Sequence, residues 1–210
     1  MQLFLIRHPR PLHGAGLCYG QLDLAAEDPA PIARRLRPLL PADARLCASP
    51  LLRCRRLAEA LHAQPQFDQR LMEINFGEWE GQAWDAVERR LLDLWAADPL
   101  RFTPPGGESA ACLQARAVAA VAEMRAAESI VVSHAGVIRA LLGHYLGLAI
   151  DEWSVLPIDF GSLSLLEIDP ARQTGVLRYL NRKNDEKENQ GENAETPSPR
   201  AERRLTFRRT

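Results

Sequence analysis

Five short runs of apolar and β-branched residues recur along the chain, at 2–6 (QLFLI), 45–48 (RLCA), 129–133 (SIVVS), 162–168 (SLSLLEI) and 174–180 (TGVLRYL), each bounded by turn-forming residues. Runs this short, with this composition, read as strands. Between them apolar residues fall at helical spacing over roughly 29–40, 50–63, 83–96, 108–127 and 136–147. Ser49 followed by Pro50 reads as a cap with proline in the first turn, and Glu108 puts an acid at the positive end of an alanine-rich helix. Strands alternating with helices predict an α/β domain with a largely parallel sheet. In such a sheet, ligands sit beyond the carboxyl ends of the strands.

A chain of 210 residues fits one domain with an appendage. No apolar run approaches the roughly 20 residues that span a bilayer, so no membrane association is expected. MQLFLIRH has neither a basic stretch before its apolar residues nor a small-residue cleavage site after them, so a cytoplasmic location is expected. Cys18, Cys47, Cys54 and Cys112 show no C-x-x-C or zinc-site spacing, which predicts free thiols and no metal. Every cationic residue before position 180 is arginine, while both lysines, Lys183 and Lys187, follow it. The composition turns polar at Asn181, so a folded domain is expected over 1–180 and a disordered tail over 181–210. The basic end of that tail could meet an acidic partner or nucleic acid, but a solvated tail is the simpler expectation and nucleic acid is not a predicted partner.

Three strand ends carry the chemistry. The first strand runs into LIRHPRP (5–11), ending at Arg7 and His8; the second leads through ASPLLR to Arg53; the third, VVSHAG, ends at His134 before Gly136 opens a helix. On one rim of a parallel sheet, two arginines and two histidines would repel one another until an anion offset them. In a chain whose body holds no other cation than arginine, position carries this argument rather than residue type. Arginine grips phosphate through charge-assisted hydrogen bonds worth about 1.5–3 kcal/mol each, and helix starts after Ser49 and His134 add backbone donors. With no G-x-x-x-x-G-K-[ST] and no G-x-G-x-x-G, the rim is not a nucleotide-triphosphate or dinucleotide cradle.

Binding alone does not call for histidine. Hydrolysis of phosphate monoesters is so slow without a catalyst that enzymatic accelerations reach about 10^21-fold. A neutral imidazole can act as nucleophile, and cationic neighbours favour that neutral form. A carboxyl group must then protonate the leaving oxygen, and RLMEINFGEWEG (70–81) offers Glu73, Glu78 and Glu80, among which physical reasoning alone does not choose.

Taken together these residues resemble the histidine phosphatase superfamily, also called phosphoglycerate mutase-like. LIRHP stands where that family has its RHG motif, ASPLLRCRRLAEAL resembles its S-x-L-x-R-A segment, LMEINFGEWEG its L-x-E-x-x-F-G-x-W-E-G segment, and VVSHAGVIRALL its second-histidine motif. The likeness covers roughly residues 1–168. It implies a three-layer α/β/α sandwich with a mostly parallel central sheet and a phosphomonoesterase that needs no cofactor. It also implies site roles: His8 as phosphorylated nucleophile, Arg7, Arg53 and His134 as clamps on the phosphoryl oxygens, and Glu73 as proton donor. Glu78 and Glu80 would then be structural, and Glu108 would border the pocket or cap its helix.

The chain departs from the family pattern at Pro9 and Arg10, and at Gly14, where an asparagine is expected. These departures fall in a segment on which mutases depend, so hydrolysis is favoured over mutase-type transfer. Together with RHPRP, GLCYGQLDL (16–24) is similar to the branch related to the α-ribazole phosphatases of cobalamin synthesis. That implies α-ribazole 5′-phosphate or adenosylcobalamin 5′-phosphate as substrate, with Tyr19, Gln21 and Asp23 at the mouth. The alternatives are a mutase, a broad-specificity phosphatase and a non-catalytic phospholigand-binding protein; a homodimer is compatible with all of them.

Overall fold

The computed structural model describes residues 1–183. The tail expected from Asn181 therefore lies, beyond Lys183, outside the described residues. A six-stranded sheet has the order β3-β2-β4-β1-β5-β6, built from β1 (Gln2–Arg7), β2 (Arg45–Ala48), β3 (Gln66–Phe67), β4 (Glu128–Ser133), β5 (Leu163–Asp169) and β6 (Thr174–Arg182). The first four strands pair in parallel, β5 runs antiparallel to β1, and the edge strand β6 runs antiparallel to β5. The mostly parallel sheet matches expectation.

Alternation along β1 explains the three layers. Leu3 and Leu5 face a core with α4 (Ala110–Ala122) and α5 (Ala135–Leu146), through Leu113, Val121, Ile138 and Leu141. Phe4 and Ile6 face the opposite core, with Ala33 and Leu36 of α1 (Ala30–Leu36) and Leu57 and Ala58 of α2 (Leu52–Leu61). A third, aromatic cluster lies apart from both, gathering Phe76, Trp79, Trp84, Trp95 and Phe102. Among the described residues no helix is long and apolar enough to cross a membrane.

Two local expectations need correction. The helix expected over 83–96 starts six residues later, as α3 (Arg89–Ala97), because Ala83 bridges to Leu17 and Trp84 N donates to Gly16 O. Ser49 does not cap α2; that position is Leu51, and the Ser49 hydroxyl accepts from Leu51 N at 3.3 Å while turning toward His134. The two-residue β3 and the single turn α6 (Ile150–Trp153) are too short to leave a periodic signal.

Candidate active site

Strand register brings the three predicted ends together. Arg7 pairs with Ser133 and Ala48 with Val132, so His8, His134 and Ser49 each stand one residue beyond adjacent parallel strands. His8 N donates to Ser133 O at 3.0 Å, Ser49 N donates to Val132 O at 3.0 Å, and the two imidazole centroids are 5.0 Å apart. The strand order reverses between β4 and β1, the place where α/β sheets open a crevice.

Both histidines are almost wholly enclosed, His8 at 2% and His134 at 0% exposure. Burial, then the Arg53 charge, hold the His8 imidazole well below its ordinary range, and Arg7 adds to this against the opposing hydrogen bond to Pro9. His134 is held down in the same way, by burial, Arg53, His8, Arg116 and Arg7. His8 Nδ1 lies 2.6 Å from Pro9 O. A carbonyl only accepts, so in the neutral ring Nδ1 carries the proton and Nε2 presents its lone pair. His134 Nε2 lies 2.8 Å from Ser49 Oγ and 3.4 Å from the buried Cys54 Sγ. All four cysteines are free.

The arginines are anchored by carbonyls of surrounding loops. Arg53, 1% exposed, donates to Gly20 O at 2.6 Å and Leu22 O at 2.9 Å. Arg7 donates to Ile158 O and lies over the Phe160 ring, 3.5 Å from its centroid. The Nε atoms of both arginines are buried without a hydrogen-bond partner among the described residues, which leaves each a donor for an anion. Arg10 stacks on the same Phe160, 4.8 Å from its centroid.

Tyr19 lines the cavity in front of His8. Its ring also accounts for Gly14, since a Cβ there would sit 2.7 Å from Tyr19 Cε1. Gln21 is placed otherwise: its amide donates to Glu73 O at 3.2 Å, behind the cavity wall. Asp23 accepts from Leu52 N at 2.7 Å, at the start of α2.

Among the three candidate acids, only Glu73 lines the cavity with His8. Its carboxylate accepts from Ile74 N at 3.0 Å and from Gly136 N at 3.1 Å, in the first turn of α5. Gly136 permits this approach, because a Cβ there would lie 2.2 Å from Glu73 Oε1. Glu80 instead accepts from Gln21 N and Phe76 N, at 2.8 and 3.0 Å, and Glu78 is exposed. Glu108 is bonded to Arg116 and Asn75, while Ser109 caps α4.

The cavity occupies about 540 Å³. Arg7, His8 and Glu73 line it together with Tyr19, Phe76, Trp84, Trp95, Trp153 and aliphatic residues such as Leu113 and Ile150, whereas Arg53 and His134 are not part of its lining. Trp84 and Trp95 are stacked, with centroids 5.7 Å apart and planes 6° from parallel. Among the described residues, Arg139 is the one cation besides Arg7 that lines it, fixed through Leu156 O at 2.7 Å. Sequence reasoning missed both the aromatic wall and Arg139. The tryptophans lie in a stretch read as one helix, and Arg139 lies inside VVSHAGVIRALL, where the histidine drew the attention. Among the described residues no cluster of His, Cys, Asp and Glu could hold a metal ion.

The model of the histidine phosphatase superfamily (branch 1) matches residues 3–201. A glucosyl-3-phosphoglycerate phosphatase from Mycolicibacterium vanbaalenii is 30% identical over 182 residues, 74% of this chain and 78% of that protein. Among solved structures, a phosphoglycerate mutase from Thermus thermophilus superposes with a TM-score of 0.64 at 32% identity, covering 80% of this chain and 93% of that one. The alpha-ribazole phosphatase from Shigella flexneri superposes with a TM-score of 0.75 at 23% identity, covering 87% and 96%. That last likeness is one of fold.

Proposed function

Because the chain belongs to the histidine phosphatase superfamily (branch 1), we propose that it hydrolyses a phosphomonoester through a phosphohistidine on His8. The His8 Nε2 lone pair attacks phosphorus, and the bond to the leaving oxygen breaks with its electrons as that oxygen takes a proton from Glu73. Arg7, Arg53 and His134 bear on the phosphoryl oxygens, where charge develops. Water then attacks the phosphohistidine and gives its proton to Glu73. The N–P bond breaks with its electrons returning to Nε2, and inorganic phosphate leaves. No cofactor enters this cycle.

For the substrate we propose a nucleoside-like monoester with an apolar heterocycle, α-ribazole 5′-phosphate or adenosylcobalamin 5′-phosphate. The observation that carries this reading is the set of aromatic side chains, Tyr19, Phe76, Trp84, Trp95 and Trp153, that line the same 540 Å³ cavity as His8 and Glu73. A flat apolar base gains from stacking on tryptophan, about 1–3 kcal/mol per ring, whereas a glycerate leaves that wall unused. The resemblance of RHPRP and GLCYGQLDL to the α-ribazole branch supports the same substrate, and the tight fit of Gly14 against Tyr19 supports hydrolysis over mutase chemistry.

A second reading has its own observation. Arg139 could pair with the carboxylate of a glycerate-type phosphoester, in line with the Mycolicibacterium and Thermus relatives. A panel of α-ribazole 5′-phosphate, glucosyl-3-phosphoglycerate, 3-phosphoglycerate, phosphoserine and nucleotides separates the two. The first reading expects the highest kcat/KM on α-ribazole 5′-phosphate with release of free phosphate. Equal rates on all, or preference for a phosphoglycerate, would overturn it. An isomerised phosphoester in place of free phosphate would identify a mutase.

A further inference from the structure

The segment that carries Glu73 has neither strand nor helix to satisfy its backbone. It leaves a short 3-10 turn (Gln69–Leu71) and continues extended at Met72. Half-buried peptide groups without such a ladder need side-chain partners; beside the Gln21 amide on Glu73 O, they come from one ion pair, Arg116 on α4 and Glu108 just before it. Arg116 donates to Arg70 O at 2.7 Å, Met72 O at 2.6 Å and Glu73 O at 2.9 Å. Glu108 holds the other side of that guanidinium, at 2.6 Å from Nη2 and 3.0 Å from Nε, and accepts from Asn75 N at 2.9 Å. Glu108 N also donates to Asn75 O at 2.9 Å. Both side chains are largely shielded, at 19% and 17% exposure.

The backbone on either side of Glu73 is thus held by one planar fork and its counter-ion, with the Gln21 amide as a second donor to Glu73 O, while the carboxylate at the end of that residue rests on Ile74 N and Gly136 N. We propose that the Arg116–Glu108 pair is a positioning device for the reaction, setting the Glu73 carboxyl at the height of the leaving-group oxygen. This rests on the proton-donor role given to Glu73 above. Neither Arg116 nor Glu108 lines the cavity, and their hydrogen bonds to this segment go to main-chain atoms of residues 70–75, so both act through Glu73. Arg70 is the informative contrast. It forms a comparable cluster with Asp68 and Glu123, but at the surface and away from residues 72–75.

The test compares kcat/KM on an alkyl phosphate, whose leaving oxygen needs a proton, with that on a dinitrophenyl phosphate, whose leaving group does not. The ratio of the two is independent of how much of a variant is folded. Glu73→Gln is expected to depress the alkyl-to-dinitrophenyl ratio by about 10²–10³-fold, the contribution of a placed general acid. Arg116→Lys and Glu108→Gln are expected to depress it by roughly 10–100-fold, the cost of a displaced catalytic group. Glu73→Gln combined with either should be no lower than Glu73→Gln alone, and Glu123→Gln should leave the ratio unchanged. If Glu73→Gln changes the ratio while Arg116→Lys and Glu108→Gln lower both rates equally, the pair only supports the fold and the inference is overturned. If Glu73→Gln itself leaves the ratio unchanged, the proton-donor role fails and the inference fails with it.

Discussion

At one end of the cleft, His8 and His134 follow directly on paired parallel strands and are 2% and 0% exposed. At the other, Trp84 and Trp95 stand on a turn and on α3, a helix with no buried residue. A strand ladder fixes the histidines through backbone hydrogen bonds that any sequence of this register would make. The indole rings are set by side-chain packing against one another, and packing tolerates exchange of one large side chain for another better than a ladder tolerates a shift of register. On the proposed mechanism, the phosphoryl end does one reaction and the aromatic end chooses what undergoes it.

That division predicts which substitutions affect all substrates and which affect some. Arg53→Met removes a fixed cation beside both histidines and should lower kcat/KM by roughly 10²–10³-fold on every phosphomonoester alike. A loss confined to one substrate would dissolve the division. Gly136→Ala forces a Cβ toward Glu73 Oε1 and should cost about 10–100-fold, read chiefly with poor leaving groups; full activity there would mean that the carboxylate needs no fixed seat. Trp95→Ala should raise KM for substrates with a flat apolar base by roughly tenfold, in keeping with the loss of one stacking face. It should leave phosphoserine unchanged, and an equal loss on both would place Trp95 with the phosphoryl end.

The smallest effect is on stability. Both histidines are depressed by burial, so below their ordinary value of 6.5 the unfolded chain takes up protons that the native state refuses. The contribution is complete above pH 6.5 and is lost as pH falls toward the folded values, by at most about 1.4 kcal/mol per pH unit for each histidine. Urea unfolding between pH 5 and 8 should show that decline, and His134→Gln should make it shallower. The same slope in the variant would mean that His134 is not refused a proton.

The phosphoryl end was legible because its logic is local and repeated. Each of Arg7-His8, Arg53 and VVSHAG follows an apolar strand, and the strand-end rule predicts their convergence. The register sets His8 against His134, with imidazole centroids 5.0 Å apart. The choice of Glu73 over Glu78 and Glu80 needed the family resemblance, because only the fold shows that α5 presents Gly136 N to one carboxylate and that Gln21 N and Phe76 N engage another. The aromatic wall was not legible. Trp84 and Trp95 lie eleven positions apart, as expected of one helix face, but the pairing of Ala83 with Leu17 keeps Trp84 out of the helix, and the two rings meet by stacking. The Arg116 fork escaped for the same reason: its acceptors are main-chain carbonyls, which leave no trace in residue type.

The direct measurement is rapid-quench trapping of the enzyme during turnover of a phosphate-labelled substrate. The mechanism predicts an acid-labile, alkali-stable phosphoryl group on His8 that forms and decays within the cycle and is absent from His8→Ala. Turnover with no trapped phosphoryl group, or labelling that persists in His8→Ala, would contradict it.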